Sequence, residues 1–253
     1  MGCMVTCSPY KYDFFIVKQY GDNVGKIICC DSVRESGWEE CGDREHKKKC
    51  SANGEKLNNN LSRARSTIKE LALCNPWDYF VTFTIDKSKH DRFNLDEYIK
   101  AVSEFIHTYN KRLPDEYKVK YLLVPEKHKN GAWHMHGFVK GIAPKDLYTN
   151  SYGYLTWRQY EEKFGFISMD VIRDKERAAS YIQKYIAKDL DNNVTELNRH
   201  LYYCSKGLER ADVIYRGNAV FHGKWDWEHP DGYCKIKNVD LRKEDIGEFL
   251  EMV

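Results

Sequence analysis

The chain has 253 residues, 40 Lys and Arg against 38 Asp and Glu, a net charge of +2 and ordinary apolar content, which fits one sizeable domain with an appendage or two small domains. No stretch approaches the roughly 18 apolar residues of a membrane span, and Met1 to Tyr10 lack the features of a secretory signal, so a cytoplasmic protein with no membrane partner is expected. Nine cysteines, seven of them before residue 75 and none in a C-x-x-C pair, are read as reduced thiols; a structural zinc on Cys41, His46 and Cys50 with Cys29 or Cys30 is the alternative.

Charge is unevenly spread. Eight Lys and Arg against two acids lie between Arg44 and Lys69, including Lys47, Lys48, Arg63, Arg65 and Lys69, whereas eight acids against four bases follow from Asp226. The basic flank fits contact with a nucleic-acid backbone.

In chain order, residues 1–57 mix short apolar runs with polar turns and form a small β-rich or irregular appendage without assigned chemistry. The segment Gly21-Asp-Asn-Val-Gly25-Lys26-Ile27 is one residue short of a phosphate-binding loop and lacks its Ser or Thr, so neither an ATPase nor a helicase is expected. Residues 58–191 form the core. Asn58-Asn59-Asn60 cap a helix to about Leu73, with Leu61, Ala64, Ile68 and Leu71 buried and Arg63, Arg65 and Lys69 wet. Tyr79 to Ile85 is a strand, with Val81, Phe83 and Ile85 on one face and Phe80, Thr82 and Thr84 on the other. Asn94 and Glu97 open a capping box before a helix through about Tyr109.

Lys118 to Glu126 and Trp133 to Val139 then read as antiparallel neighbours joined by the turn Lys129-Asn130-Gly131. Alternation puts His134, His136 and Phe138 on an open face, and Trp133, Met135 and Val139 toward a core. Thr156 to Phe164 reads as a short helix, Gly165 to Ile172 as a strand and Asp174 to Leu190 as a helix. Residues 192–253 form a C-terminal extension with strand-like pieces and an acidic terminal helix, Lys243 to Glu251. The pattern is α+β, an antiparallel sheet with helices packed on one face.

Three features converge. Two imidazoles at His134 and His136 with the Glu126 carboxylate make a donor set for Mn²⁺, Mg²⁺, Co²⁺ or Zn²⁺. Tyr181 and Tyr185 stand four apart on one flank of a helix whose buried stripe is Ala179, Ile182, Ile186 and Leu190. Lys184 and Lys188 each follow a tyrosine by three residues. A phenol with a pKa near 10 is only about one part in a thousand ionised at neutral pH, a handicap of roughly 4 kcal/mol for a phenolate nucleophile. A nearby cation and an ion on the target phosphate both offset it, so the set reads as phosphoryl-transfer chemistry.

Phe80-Val81-Thr82-Phe83-Thr84, then Glu126 with His134-Met135-His136, then Tyr181-x-x-Lys184-Tyr185-x-x-Lys188 resemble the three ordered motifs of rolling-circle replication initiators, the HUH endonucleases of phages and plasmids, over roughly residues 76–190. The resemblance implies a ferredoxin-like sheet on which Glu126, His134 and His136 hold one Mg²⁺ or Mn²⁺. It implies attack by Tyr181 or Tyr185 on single-stranded or cruciform origin DNA, leaving a 5′-phosphotyrosine link and a free 3′-OH. Host helicase and DNA polymerase are the implied partners. A single-strand-type transposase or a relaxase would share this chemistry, and a non-catalytic ferredoxin-like nucleic-acid binder would share the strands alone.

Overall fold

The computed structural model describes residues 10–34, 54–190 and 200–253, with the side chains of Tyr10, Arg34, 54–60 and 185–190 outside that description. In chain order the elements are β1 (Tyr10–Tyr20), β2 (Val24–Arg34), α1 (Gly54–Cys74), β3 (Tyr79–Thr84), α2 (Leu95–Asn110), β4 (Lys120–Lys127), β5 (Trp133–Lys140), β6 (Leu147–Thr149), β7 (Leu155–Trp157), α3 (Arg158–Phe164), β8 (Ile167–Val171), α4 (Lys175–Leu190), β9 (Tyr203–Cys204), β10 (Asp212–Phe221), β11 (Trp227–Glu228), β12 (Cys234–Asp240) and β13 (Leu250–Met252). They form two antiparallel sheets with four helices, an α+β fold, divided between two compact units, residues 1–51 with 210–253 and residues 52–209. Among the described residues, no helix is long and apolar enough to cross a membrane.

The discontinuous unit is a six-stranded sheet in the order β11-β12-β2-β1-β10-β13. The near-miss phosphate loop is the turn of its first hairpin: Tyr20 pairs with Val24 around Gly21, whose φ of 57° suits a residue without Cβ. Phe15, Val17, Ile27, Cys29, Val239 and Leu250 supply its buried side. The expected terminal helix is absent. Asp245 caps a 3₁₀ turn, Ile246–Glu248, through a 2.6 Å bond from the Gly247 N–H, and Leu250–Met252 then pairs with β10. The local Asx-type bond and an available sheet edge outweigh the weak helical pattern there.

The continuous unit carries the seven-stranded sheet β6-β7-β8-β3-β5-β4-β9. One face of β3, β5 and β8 presents Val81, Phe83, Met135, Val139, Ile167 and Met169 to a core completed by α2 and α3. The capping box at α2 is present in its first half, since Asn94 Oδ1 accepts from the Glu97 N–H at 3.2 Å. Leu95, Tyr98, Val102, Phe105 and Ile106 then follow the helical period inward, each worth about 1.5–3 kcal/mol when fully buried.

The opposite face is covered too, which corrects the expectation of helices on one side only. Tyr181 of α4 packs on Phe80, Trp77 stacks on Phe138 at 5.7 Å, and α1 packs against α4. The reason lies in β4. Leu122, Leu123, Val124 and Pro125 are all buried without alternation, the pattern of a strand covered on both faces.

Candidate active site

The register places the polar cluster. Thr82 lies opposite His136 and Thr84 opposite His134 on one side of β5, while Val124 lies opposite His136 and Glu126 opposite His134 on the other. Directly paired residues point to the same face, so Phe80, Thr82, Thr84, His134, His136 and Glu126 share one side of the sheet. Met135, between the histidines, is fully buried on the other.

This face is less open than alternation alone implies. His136 and Glu126 are buried, at 6 % and 5 % exposure. Their pairing explains how a carboxylate tolerates that position: His136 Nε2 lies 2.7 Å from Glu126 Oε2. An ionised carboxylate only accepts, so Nε2–H donates, and Nδ1 accepts from the Thr82 hydroxyl at 3.1 Å. Thr84 Oγ1 reaches His134 Nδ1 at 3.2 Å in the same way. A hydroxyl can donate or accept, so each threonine supports either tautomer of its histidine. The two threonines therefore orient the rings, which is the role of a group behind a ligand rather than of a reacting group.

Burial, with the neighbouring His128 and His136 imidazoles, holds the His134 pKa down at about 4, so its ring is neutral at neutral pH. Neutral imidazole is the form that binds metal. The donor types present, imidazole nitrogen with a buried carboxylate, suit a divalent ion. Among the described residues, however, no group of three or more His, Cys, Asp or Glu side chains is arranged so that it could hold a metal ion. Glu126 and His136 face one another through a shared proton. Capture of an ion at that nitrogen requires the proton to leave or to move to Nδ1, and the Thr82 hydroxyl can accommodate the move.

His128 belongs to this cluster although its sequence position did not mark it. Its ring stacks on His134 with centroids 3.8 Å apart and planes 12° from parallel, and its Nε2 is 3.8 Å from Glu126 Oε2. It lies just past the end of β4, two residues beyond Glu126, where strand alternation no longer assigns a face.

Tyr181 is the tyrosine whose ring is described. Its centroid lies 5.4 Å from that of Phe80, edge to face, and the side chain is 44 % exposed. Phe80 is two residues before Thr82, so the Tyr181 ring sits on the same side of the sheet as the histidines. Lys184 Nζ is 5.3 Å from the Tyr181 ring centroid, a cation at the aromatic face. Ala179 and Ile182 are fully buried, which leaves Tyr181 on the flank of the packed stripe. Tyr185 and Lys188 lie one turn farther along α4, and their side chains fall outside the described residues.

Tyr181 and Lys184 also line a groove of about 1040 Å³ with Phe80, Arg173 and Arg177 on its walls. Arg173 and Arg177 were not marked by sequence. Of the basic flank, Arg63 and Lys69 are exposed on α1 and Arg65 is half-buried, with its Nε lacking a hydrogen-bond partner. Lys47 and Lys48 lie outside the described residues.

A sheet-mounted imidazole and carboxylate cluster with a helix-borne tyrosine and lysine on the same face is a candidate phosphoryl-transfer site. The comparison with protein families agrees in kind. Residues 78–190 match the model of the family Replication-associated protein ORF2/G2P, which supports a replication initiator and spans every one of these side chains. No curated protein and no solved structure matches the chain.

Proposed function

We propose that this protein is a rolling-circle replication initiator that nicks and rejoins single-stranded DNA at an origin through a tyrosine–DNA intermediate. The observation that carries the reading is the common face: Tyr181 packs on Phe80, two residues along β3 from the threonine that orients His136. The family match over residues 78–190 supports the replication role.

In this reading the Tyr181 oxygen attacks a DNA phosphorus. An O–P bond to tyrosine forms, the bond to the 3′ oxygen breaks, and that oxygen leaves as a 3′-OH after taking up a proton. Lys184, beside the ring, would balance charge on the phosphate. Glu126, His134 and His136 are the residues that would hold Mg²⁺ or Mn²⁺. A bound ion would supply Lewis-acid stabilisation of the charge that develops on the phosphate oxygens. Tyr185, followed by Lys188, is a second nucleophile of the same type, able to act while the first end is still attached.

The groove with Arg173, Arg177, Phe80 and Tyr181 offers cations for the backbone and rings for bases, the combination used for single strands. Arg63, Arg65 and Lys69, together with Lys47 and Lys48, would add backbone contacts with salt-sensitive affinity. Strand separation and synthesis are assigned in this reading to a host helicase and polymerase in the cytoplasm of a bacterial cell.

The test is covalent attachment. With Mn²⁺ and origin-containing single-stranded DNA, the wild-type chain should form an adduct that survives SDS. Tyr181→Phe with Tyr185→Phe should abolish it while sparing DNA binding. Oligonucleotide binding without any adduct in the wild type would leave only a nucleic-acid-binding domain.

A further inference from the structure

We propose that Cys30 and Cys234 form a reversible disulfide that ties the two chain segments of the discontinuous unit together, a modification separate from the DNA chemistry. The first observation is register. Cys234, the first residue of β12, lies directly opposite Cys30 on β2, beside the pair Ile28 and Ile236. Directly paired residues point to one face, so the two side chains are cross-strand neighbours. Both are half-buried free thiols, and they hydrogen-bond to one another.

The second observation is the kind of pair. The Asp31 N–H donates to the Tyr233 carbonyl at 3.0 Å, while the Cys234 carbonyl accepts from the His229 N–H at 2.8 Å, away from β2. The backbone bond between the strands thus belongs to the adjacent residues and passes the cysteines by, which makes them a non-hydrogen-bonded pair. Cα atoms in such a pair are about 4.5 Å apart, inside the range of about 4.4–6.8 Å that a disulfide spans. Neither strand has to move. Cys29 is the contrast within the same strand: it pairs with Phe15 on the opposite face and is buried there, and burial pushes its thiol up to about 11.

The oxidant is a low-molecular-weight disulfide such as oxidised glutathione. One protein thiol gives up its proton, and the thiolate attacks a glutathione sulfur. The glutathione S–S bond breaks, a mixed disulfide forms, and the departing thiolate takes up a proton. The second protein thiolate then attacks the protein sulfur of the mixed disulfide, and the other glutathione leaves as a thiol. Two protein thiols are oxidised and one disulfide is reduced to two thiols. Burial raises the pKa of both cysteines, so the exchange is slow at neutral pH. The consequence follows from the chain path. β2 precedes and β12 follows the whole continuous unit, and the bond closes that span of roughly two hundred residues into a covalent loop.

The test uses the full chain, reduced, freed of reductant and held with excess oxidised glutathione at mildly alkaline pH. Remaining thiols are alkylated, and the peptides are mapped by mass without reduction. A peptide linked through Cys30 and Cys234 should appear in the wild type and in Cys29→Ala, with faster migration of the monomer on a non-reducing gel that dithiothreitol reverses. Cys30→Ser and Cys234→Ser should each lack it. The urea midpoint of the wild type should rise by about 1 M on oxidation and return on reduction, and neither serine variant should respond. Alkylation of both Cys30 and Cys234 in the oxidised wild type, or linkage of either to a different cysteine, would overturn the inference. A bond that forms without moving the midpoint would overturn its role as a tie between the segments.

Discussion

Gly137 follows His136 on β5 and lies opposite Leu123 on β4, the strand that carries Glu126. A Cβ added there would meet the Leu122 carbonyl oxygen at 1.9 Å, the Leu122 carbonyl carbon at 2.9 Å and the Leu123 Cα at 2.9 Å. An ordinary carbon–oxygen contact is about 3.3 Å or longer, so the strands must separate by about 1.4 Å, and every atom in the way is backbone. No rotamer change relieves it. Opening β4 from β5 strains several ladder hydrogen bonds, each worth about 1 kcal/mol net, on top of an overpacking cost of about 1–3 kcal/mol. Gly137→Ala should therefore lose about 3 kcal/mol or more of stability, measured by urea unfolding. It should also pull Glu126 from His136, so Mn²⁺ affinity measured under native conditions should fall with it. A loss below about 1 kcal/mol with unchanged Mn²⁺ binding would show that the close approach of β4 and β5 does not hold the site together.

Other outcomes follow from the same geometry. Replacing Thr82 and Thr84 by valine, which keeps the branched shape on β3, should cost about 1–3 kcal/mol of stability, because buried His136 loses its Nδ1 partner, and should weaken Mn²⁺ binding about tenfold to a hundredfold, read by calorimetry. Tyr160→Phe should cost about 1–3 kcal/mol, seen as a lower unfolding midpoint, because the buried Tyr98 hydroxyl loses the partner 2.7 Å away. With no metal added, the pH dependence is set in part by His134, whose pKa is held at about 4 when folded and returns to near 6.5 when unfolded. Between those values the unfolded chain binds the extra proton, so stability is fully present above about 6.5 and is lost as pH falls toward 4. Urea midpoints across that window should fall less steeply in His134→Gln than in the wild type.

Much of the continuous unit was legible because its signals are local. Alternation put Thr82 with Thr84 on one face of Tyr79–Thr84 and His134 with His136 on one face of Trp133–Lys140, and Asn94 with Glu97 marked the start of α2; the register of β3 on β5 then joins the two pairs. The four-residue spacing that put Tyr181 on the flank of its helix agrees with a half-exposed ring beside fully buried Ile182. What escaped depends on distant partners. Nothing near Phe14–Gln19 signals that it pairs with Asp212–Asn218, nearly two hundred residues away. The terminal stretch reads as helical until β10 offers Leu250–Met252 an edge. His128 was hidden by its position in a turn, where strand parity ceases to be a guide, and the apolar run of β4 needed the arrival of α1 and α4 to show that both its faces are covered.

The decisive measurement is mass mapping of the chain after incubation with Mn²⁺ and a pool of randomised single-stranded DNA, digestion of the DNA, and proteolysis. A nucleotide should be found linked to the Tyr181 or Tyr185 phenol, and nowhere in the protein carrying phenylalanine at both positions. Attachment at any other residue, or none in the wild type, would contradict the proposed tyrosine chemistry.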